Sequence, residues 1–479
     1  MRSIFFLNSR YSLFLLLLIS IFSRLATSIF YMEDIDSLRF ALSVDYYDVL
    51  SNQPHFPGYP LFCFIFKLLY AISGSLGFSA SIIGGFSMFF IIVFAQKIYY
   101  LITNSKSFIL TLILFFNPFL WIMSNRYMPD LLGLSLLVMG LYFFLSILKN
   151  NNINNQIFLG LSIGLLLGVR ISYLPFFIPL LYLFFCTKKS RYFIFSTIFF
   201  TLLWFFPWIF ITNFSELLQV ALNDTQGHFF RWGGTIYSEE SSLLYRFIKI
   251  LESIFADSFG MWWNNRHWLT LINSFFLIPF FLFTVCKIFI NIKSIKKEHV
   301  IIIAVFLCYF IWVFLFQNIV YKPRHLMPFI PIVSIFITYG LTHYYYHLNT
   351  KLMRCLFMIL FIPYTLISLK LVHQHTNDSS ISQISNYINK SDFNNIIIIS
   401  DQLMNYYFHK TIDDQIVYLN SRAYHNKLQH YYDNNFKVFS TVRLNSSNYY
   451  LINQMTFYHN PYVNKLWSKL TLYEYEKQK

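Results

Sequence analysis

Apolar runs of about 20 residues, the length a helix needs to cross a bilayer core, recur along this chain between short polar interruptions. The first covers 11–30, behind Arg2 and Arg10. It lacks an A-x-A cleavage site and Arg24 interrupts it, so an uncleaved first helix with a cytoplasmic N-terminus is expected in place of a signal peptide. Further runs at about 80–101, 107–124, 130–148, 156–171, 172–187, 192–212, 268–290, 299–318, 326–346 and 355–373 bring the total to about eleven spans. Residues 59–73 are apolar but too short to cross, and carry Lys67; a helix lying on the membrane surface fits them. Segments 215–221 and 241–256 mix polar and apolar positions in a helical rhythm, which also suits the interface.

The tail breaks this pattern. From about residue 376 charge and asparagine rise, and the run Ile396-Ile397-Ile398-Ile399-Ser400 reads as a buried strand of a small α/β unit. The expected organisation is a membrane domain, 1–375, with outer loops 31–79 and 213–267, followed by a small outer-face α/β domain, 376–479. Alternating spans put Lys106, Lys149, Lys188, Lys189, Arg191, Lys287, Lys293, Lys296, Lys297, Lys351 and Arg354 on one side, the cytoplasmic one by the positive-inside rule. The longer polar segments then face outward, and function is sought there.

Composition agrees. Only 12% of residues are charged, against roughly 25% in soluble proteins, so this is an integral, multi-pass membrane protein. The net charge of +15 comes from single and paired Lys and Arg at the ends of apolar runs, which reads as topology and excludes nucleic-acid binding. Five cysteines form no CxxC pair, so neither a disulfide framework nor a cysteine zinc site is indicated.

Candidate chemistry concentrates in 31–60. Glu33, Asp34, Asp36, Asp45 and Asp48 are five of only 21 acids in the chain. A carboxylate that takes a proton from a hydroxyl gains basicity where water is scarce, and Asp34 and Asp36, two apart on an extended segment, would point the same way. The competing reading is a solvated loop in which Asp36 caps a helix beginning at Ser37. The bend Gln53-Pro54-His55-Phe56-Pro57-Gly58-Tyr59-Pro60 follows closely. Arg126, Arg170, Lys322 and Arg324 fall near outer ends of spans and Arg231 in the outer loop, where guanidinium groups clamp phosphate. The competing reading is snorkelling to lipid headgroups. His55, His228 and His325 share no metal-ligand spacing; no metal is assigned, and a divalent ion stays open.

Residues 36–62, DSLRFALSVDYYDVLSNQPHFPGYPLF, resemble the first outer loop of the C-type membrane glycosyltransferases, the superfamily of protein O-mannosyltransferases and lipid A aminoarabinose transferases. Asn117-Pro118, the stretch Ser124 to Asp130, Gly164 to Pro175, and Tyr321 to Pro328 resemble later motifs of that superfamily. Phe56 departs from its more usual proline and His325 from its usual aromatic residue. The resemblance implies an all-α membrane fold with the small α/β extramembrane domain behind it, and an inverting transferase of the bacterial cell envelope. Its donor would be a polyprenyl-phosphate sugar and its acceptor a hydroxyl of a glycan, lipid or protein. Asp36, or else Asp34, would be the catalytic base, with His55, Arg126, Asp130, Arg170, Arg231 and Arg324 binding substrate. A transporter or lipid flippase is the alternative; it would bury its acids at mid-membrane and show inverted repeats, and no repeat is visible.

Overall fold

The computed structural model describes residues 9–181, 190–238, 242–291, 296–348, 350–390, 395–412, 416–430, 436–445, 448–460 and 465–477. Among them, six helical stretches are long and apolar enough to cross a membrane: Leu76–Thr103, Asp130–Lys149, Arg191–Thr212, Thr270–Ile290, Lys297–Phe316 and Lys351–Asn389. A seventh is reached when the bent pair Phe108–Phe115 and Pro118–Asn125 counts as one.

This count falls short of about eleven for local reasons. The run 107–124 is broken by 52° where the Asn117 side chain accepts from the Leu120 N–H and Pro118 opens the next helix. The run 156–171 is the 17-residue helix Ile153–Val169. The run 172–187 opens as the 3-10 turn Ile171–Phe177, with Pro175 inside it; residues 182–189, and so Lys188 and Lys189, lie outside the described residues, as does Lys293. The first run is the 16-residue helix Arg10–Leu25. The helix Phe329–His347 ends in the polar run Thr342-His343-Tyr344-Tyr345-Tyr346-His347, which dilutes its hydropathy. Residues 59–73 and the two mixed segments do form helices, as Pro60–Ser73, Phe214–Phe230 and Leu243–Leu251.

The apolar helices divide by what they face. Of an apolar 18-residue window in Leu76–Thr103 and in Asp130–Lys149, 67% and 72% is buried inside the protein, against 11% for that of the similarly apolar Arg191–Thr212. A helix that is apolar all round and little covered by protein is covered by lipid. At the centre, side-chain size sets the approach of backbones. A Cβ on Gly84 would stand 1.9 Å from the Ser124 carbonyl oxygen, and one on Gly133 would stand 2.7 Å from the Arg170 Cβ. These two glycines seat the turns that carry Arg126 and Arg170. Arg24, wholly buried, donates to the Phe115 carbonyl and lies 4.1 Å from the centroid of a Trp121 ring, tying the first helix to the bent pair.

The tail folds around five strands: β1 (Ile396–Ser400), β2 (Ile416–Asn420), β3 (Lys437–Ser440), β4 (Tyr449–Tyr458) and β5 (Lys469–Lys477). Their order is β2-β1-β3-β5-β4, with β1 parallel to β2 and β3, and β5 antiparallel to β3 and β4. All five residues of β1 are buried, as its unbroken apolar run predicts for a strand covered on both faces. One side of this sheet closes over the acidic stretch. Ile35 and Leu38, from the helix Ile35–Asp45, share a core with Ile384, Ile398, Phe408 and Leu472, and the Tyr407 hydroxyl donates to the Met32 carbonyl at 2.6 Å.

Leu38 therefore joins the tail to the catalytic candidates. Leu38→Ala is expected to cost about 2–5 kcal/mol of packing at a fully buried site. Limited proteolysis would report it as faster cleavage within the tail.

Candidate active site

The site forms at helix ends. Asp34, with extended backbone, caps the helix Ile35–Asp45: its Oδ1 accepts from the Ser37 N–H and the Ser37 hydroxyl, both at 2.8 Å. The alternative in which Asp36 caps a helix starting at Ser37 is thus corrected. The helix begins two residues earlier, and Asp36 occupies its first turn. None of the three acids here is solvated: Glu33, Asp34 and Asp36 are all buried.

Arg126, Arg324 and Lys322 converge on them, and Arg170 on the adjoining Asp130. Arg126, at the C-cap of the helix Pro118–Asn125, places Nε 2.6 Å from Glu33 Oε2 and Nη2 2.6 Å from Asp34 Oδ2. Arg324, in the turn Pro323–Leu326, pairs through Nη2 with Asp36 Oδ2 and lies 3.8 Å from both Asp34 Oδ2 and Asp130 Oδ1. The same Asp36 oxygen accepts from Lys322 Nζ at 2.6 Å. Arg170, capping the helix Ile153–Val169, reaches Asp130 Oδ1 at 3.0 Å and the Tyr59 hydroxyl at 3.4 Å. Tyr59 is 3.2 Å from His55 Nε2. One polar chain thus runs from Glu33 to His55.

Burial sharpens the electrostatics. Removal from water pushes the Asp36 carboxyl up, but Lys322 and Arg324 outweigh it and hold the group well below the ordinary carboxylate range. Glu33 is likewise held well below that range, burial being outweighed chiefly by Arg126. His55 is pushed down to about 3 by burial, against the pull of Asp36, so it stands neutral beside the cluster. Arg324 retains Nε and Nη1 without a hydrogen-bond partner among the described residues. Buried donors left this way fit a group with acceptor oxygens.

Most of the sequence candidates are brought together: Asp34, Asp36, Arg126, Asp130, Arg170, Arg324 and, at the rim, His55. Arg231 is not among them. It is exposed at the end of the helix Phe214–Phe230, and Nη2 donates to Gln226 Oε1 at 3.0 Å. Of the two other histidines weighed as ligands, His228 binds the Phe316 carbonyl at 3.0 Å, and the His325 carbonyl accepts from Tyr309. Sequence reasoning passed over His375 and His459, which stand at Glu33 with their Nε2 atoms 3.0 Å from Oε2 and 3.5 Å from Oε1. His459 is a lone histidine, and His375 stands two residues from His373 in a segment with no acid or cysteine beside it to draw attention.

Further along the helix that carries Asp36, Ser43 enters the wall of a mainly apolar groove of about 540 Å³. Ser43, one turn beyond Arg39, whose Nη1 lies 3.9 Å from Asp36 Oδ1, and Tyr47, past the end of that helix, line it with Cys63 and Phe64 of the helix Pro60–Ser73 and Trp204 and Trp208 of Arg191–Thr212. Its wall is continuous with the lipid-facing helix.

No family model matches the chain, and no curated protein matches it by sequence. Solved structures do. ArnT from Cupriavidus metallidurans bound to undecaprenyl phosphate superposes with a TM-score of 0.59 at 10% identity, over 96% of this chain and 97% of that one. The archaeal oligosaccharyltransferase from Archaeoglobus fulgidus, in complex with Zn and sulfate, gives 0.53 at 12% identity, over 89% and 68%. AglB from the same organism, with an inhibitory peptide and a dolichol-phosphate, gives 0.50 at 13% identity, over 90% and 69%. End-to-end agreement with ArnT, bundle and tail together, gives this chain the fold of the C-type membrane glycosyltransferases.

Proposed function

We propose that this protein is a glycosyltransferase that moves a sugar from a polyprenyl-phosphate donor to an acceptor hydroxyl on the outer face of the membrane, inverting the anomeric centre. One observation carries the reading: a buried carboxylate, Asp36, is shared by Lys322 and Arg324, and that guanidinium keeps Nε and Nη1 without a hydrogen bond among the described residues. An acid and two cations able to bind phosphate are held together, and the helix that carries Asp36 also lines an apolar groove through Ser43. The bound undecaprenyl phosphate of ArnT and the dolichol-phosphate of AglB support the same donor class here. The charges sit at helix ends, which favours transfer over the transport alternative, whose acids belong at mid-membrane.

The resting ion pair sets the order of events. Held low by two cations, Asp36 is a poor base while the donor is absent. An arriving phosphate offers Lys322 and Arg324 oxygens of higher charge, and the lipid chain lies in the groove. As the cations change partner, the Asp36 carboxyl loses what held it down and its proton affinity rises. Asp36 then takes the acceptor's proton as the hydroxyl oxygen bonds to the anomeric carbon and the bond to the phosphate oxygen breaks. The lipid phosphate departs as an anion on Arg324. It leaves without protonation, so fixed positive charge suffices on that side.

Lys322→Gln tests the cradle. Loss of one charge-assisted contact, about 1.5–3 kcal/mol, is expected to weaken polyprenyl-phosphate binding about 10- to 100-fold in protein reconstituted in nanodiscs. Unchanged affinity would remove Lys322 from the phosphate site.

A further inference from the structure

We propose that a basic pocket at the end of the bundle opposite the acidic cluster binds the phosphate of an anionic phospholipid. Gly84, against the turn that carries Arg126, and Thr103 stand about five turns, or ~28 Å, apart on the helix Leu76–Thr103. Thr103 closes that helix, Lys287 lies in the last turn of Thr270–Ile290 with Asn291 just past it, and Lys296 and His299 open Lys297–Phe316. With Tyr339 of Phe329–His347, these side chains ring a pocket of about 180 Å³. A cavity of about 150 Å³ holds benzene, so the space suits a headgroup and not a whole lipid.

The pocket is amphipathic. Ile302 and Ile303, one turn deeper than His299, and Phe336, about one turn deeper than Tyr339, form an apolar wall behind the basic rim. The flanking helices Thr270–Ile290 and Lys297–Phe316 are only 22% and 28% buried over their apolar windows, so acyl chains can run along them from the pocket. Charge points to an anion. In the segments 103–107, 149–153, 287–299 and 347–355, which bound the helices on this side, Glu298 is the only acid. Among the described residues no ion pair uses Lys287 or Lys296, and the Lys287 ammonium stands 5.2 Å from the centroid of the Tyr339 ring. A buried ring nitrogen, His299 Nδ1, has no hydrogen-bond partner among the described residues. Two ammonium groups without carboxylates and an unpartnered ring nitrogen match the acceptor oxygens of a phosphate, the kind of headgroup that basic pockets between membrane helices take. The apolar wall favours a phosphate that carries acyl chains over a soluble one.

Native mass spectrometry of the full-length protein in detergent, titrated with dioleoylphosphatidylglycerol, tests this site without any assay of sugar transfer. About one tightly held phosphatidylglycerol per chain is expected, with phosphatidylcholine bound at least about 5-fold more weakly. Lys287→Gln and Lys296→Gln are each expected to weaken phosphatidylglycerol binding about 5-fold, and together about 25-fold. Lys149→Gln removes the same charge on the same side, at the end of Asp130–Lys149 and outside the pocket, and is expected to leave binding unchanged. Phosphatidylglycerol is also expected to raise the melting temperature of the wild type more than that of the double variant, and inorganic phosphate to raise neither. Three results would each overturn the proposal. An equal loss in Lys149→Gln would reduce the attraction to general surface charge, and wild-type affinity in the double variant would place the lipid elsewhere. Stabilisation by inorganic phosphate equal to that by phosphatidylglycerol would make the ligand a soluble phosphate.

Discussion

Asp36→Asn is expected to lower sugar transfer by about 10²–10⁴-fold, the range over which a positioned general base acts, while the protein still inserts and folds. Asparagine keeps the shape and loses the basicity. It also loses its hold on Lys322 and Arg324, so polyprenyl phosphate is expected to bind the variant at least as tightly as the wild type. Asp34→Asn separates the two acids, because Asp34 caps a helix and binds Arg126. Losing part of that arrangement is expected to reduce stability, at about 1 kcal/mol for the cap alone. Transfer assays and thermal unfolding on both variants would read these effects separately. Wild-type transfer by Asp36→Asn would end its assignment as the base.

Arg126→Ala has the largest expected effect on stability. Its side chain is wholly buried and binds Glu33 and Asp34 at once. Removing it strands two carboxylates away from water, and breaking one buried pair in this way already costs about 3–5 kcal/mol. Loss of monodisperse protein, or a large fall in unfolding temperature, is expected. Arg126→Lys should recover part of it, since an ammonium supplies charge but not the two-sided fork. Arg231→Ala, at an exposed position, should stay within about 0.5 kcal/mol of the wild type. A stable Arg126→Ala would mean that the acids are not paired as described.

The site was legible in proportion to how little else its residues could be doing. In a chain this apolar, a run of acids after the first apolar stretch and arginines at helix ends have few structural uses, so Asp34, Asp36, Arg126, Arg170 and Arg324 stood out. What pairs with what did not show. Lys322 was one basic residue among several until the fold brought it across 286 positions to Asp36, and no local pattern encodes such a contact. His375 lies 342 positions from Glu33, beyond the reach of any spacing rule. The bend at Asn117-Pro118 carried a readable cap and a proline at the first helical turn, yet a hydropathy window averages across it. Gly84 and Gly133 likewise acquire meaning only from the backbone and side chain that approach them. The sheet was partly legible because Ile396 to Ile399 is apolar without alternation; that its module shares a core with Ile35 and Leu38 was not.

The most direct measurement is release of free polyprenyl phosphate from a labelled polyprenyl-phosphate sugar in liposomes that hold the purified protein and a hydroxyl acceptor. The wild type is expected to release lipid phosphate in step with labelled product, and Asp36→Asn to retain the donor intact. Translocation of the whole donor with its sugar still attached, and no release, would contradict the account.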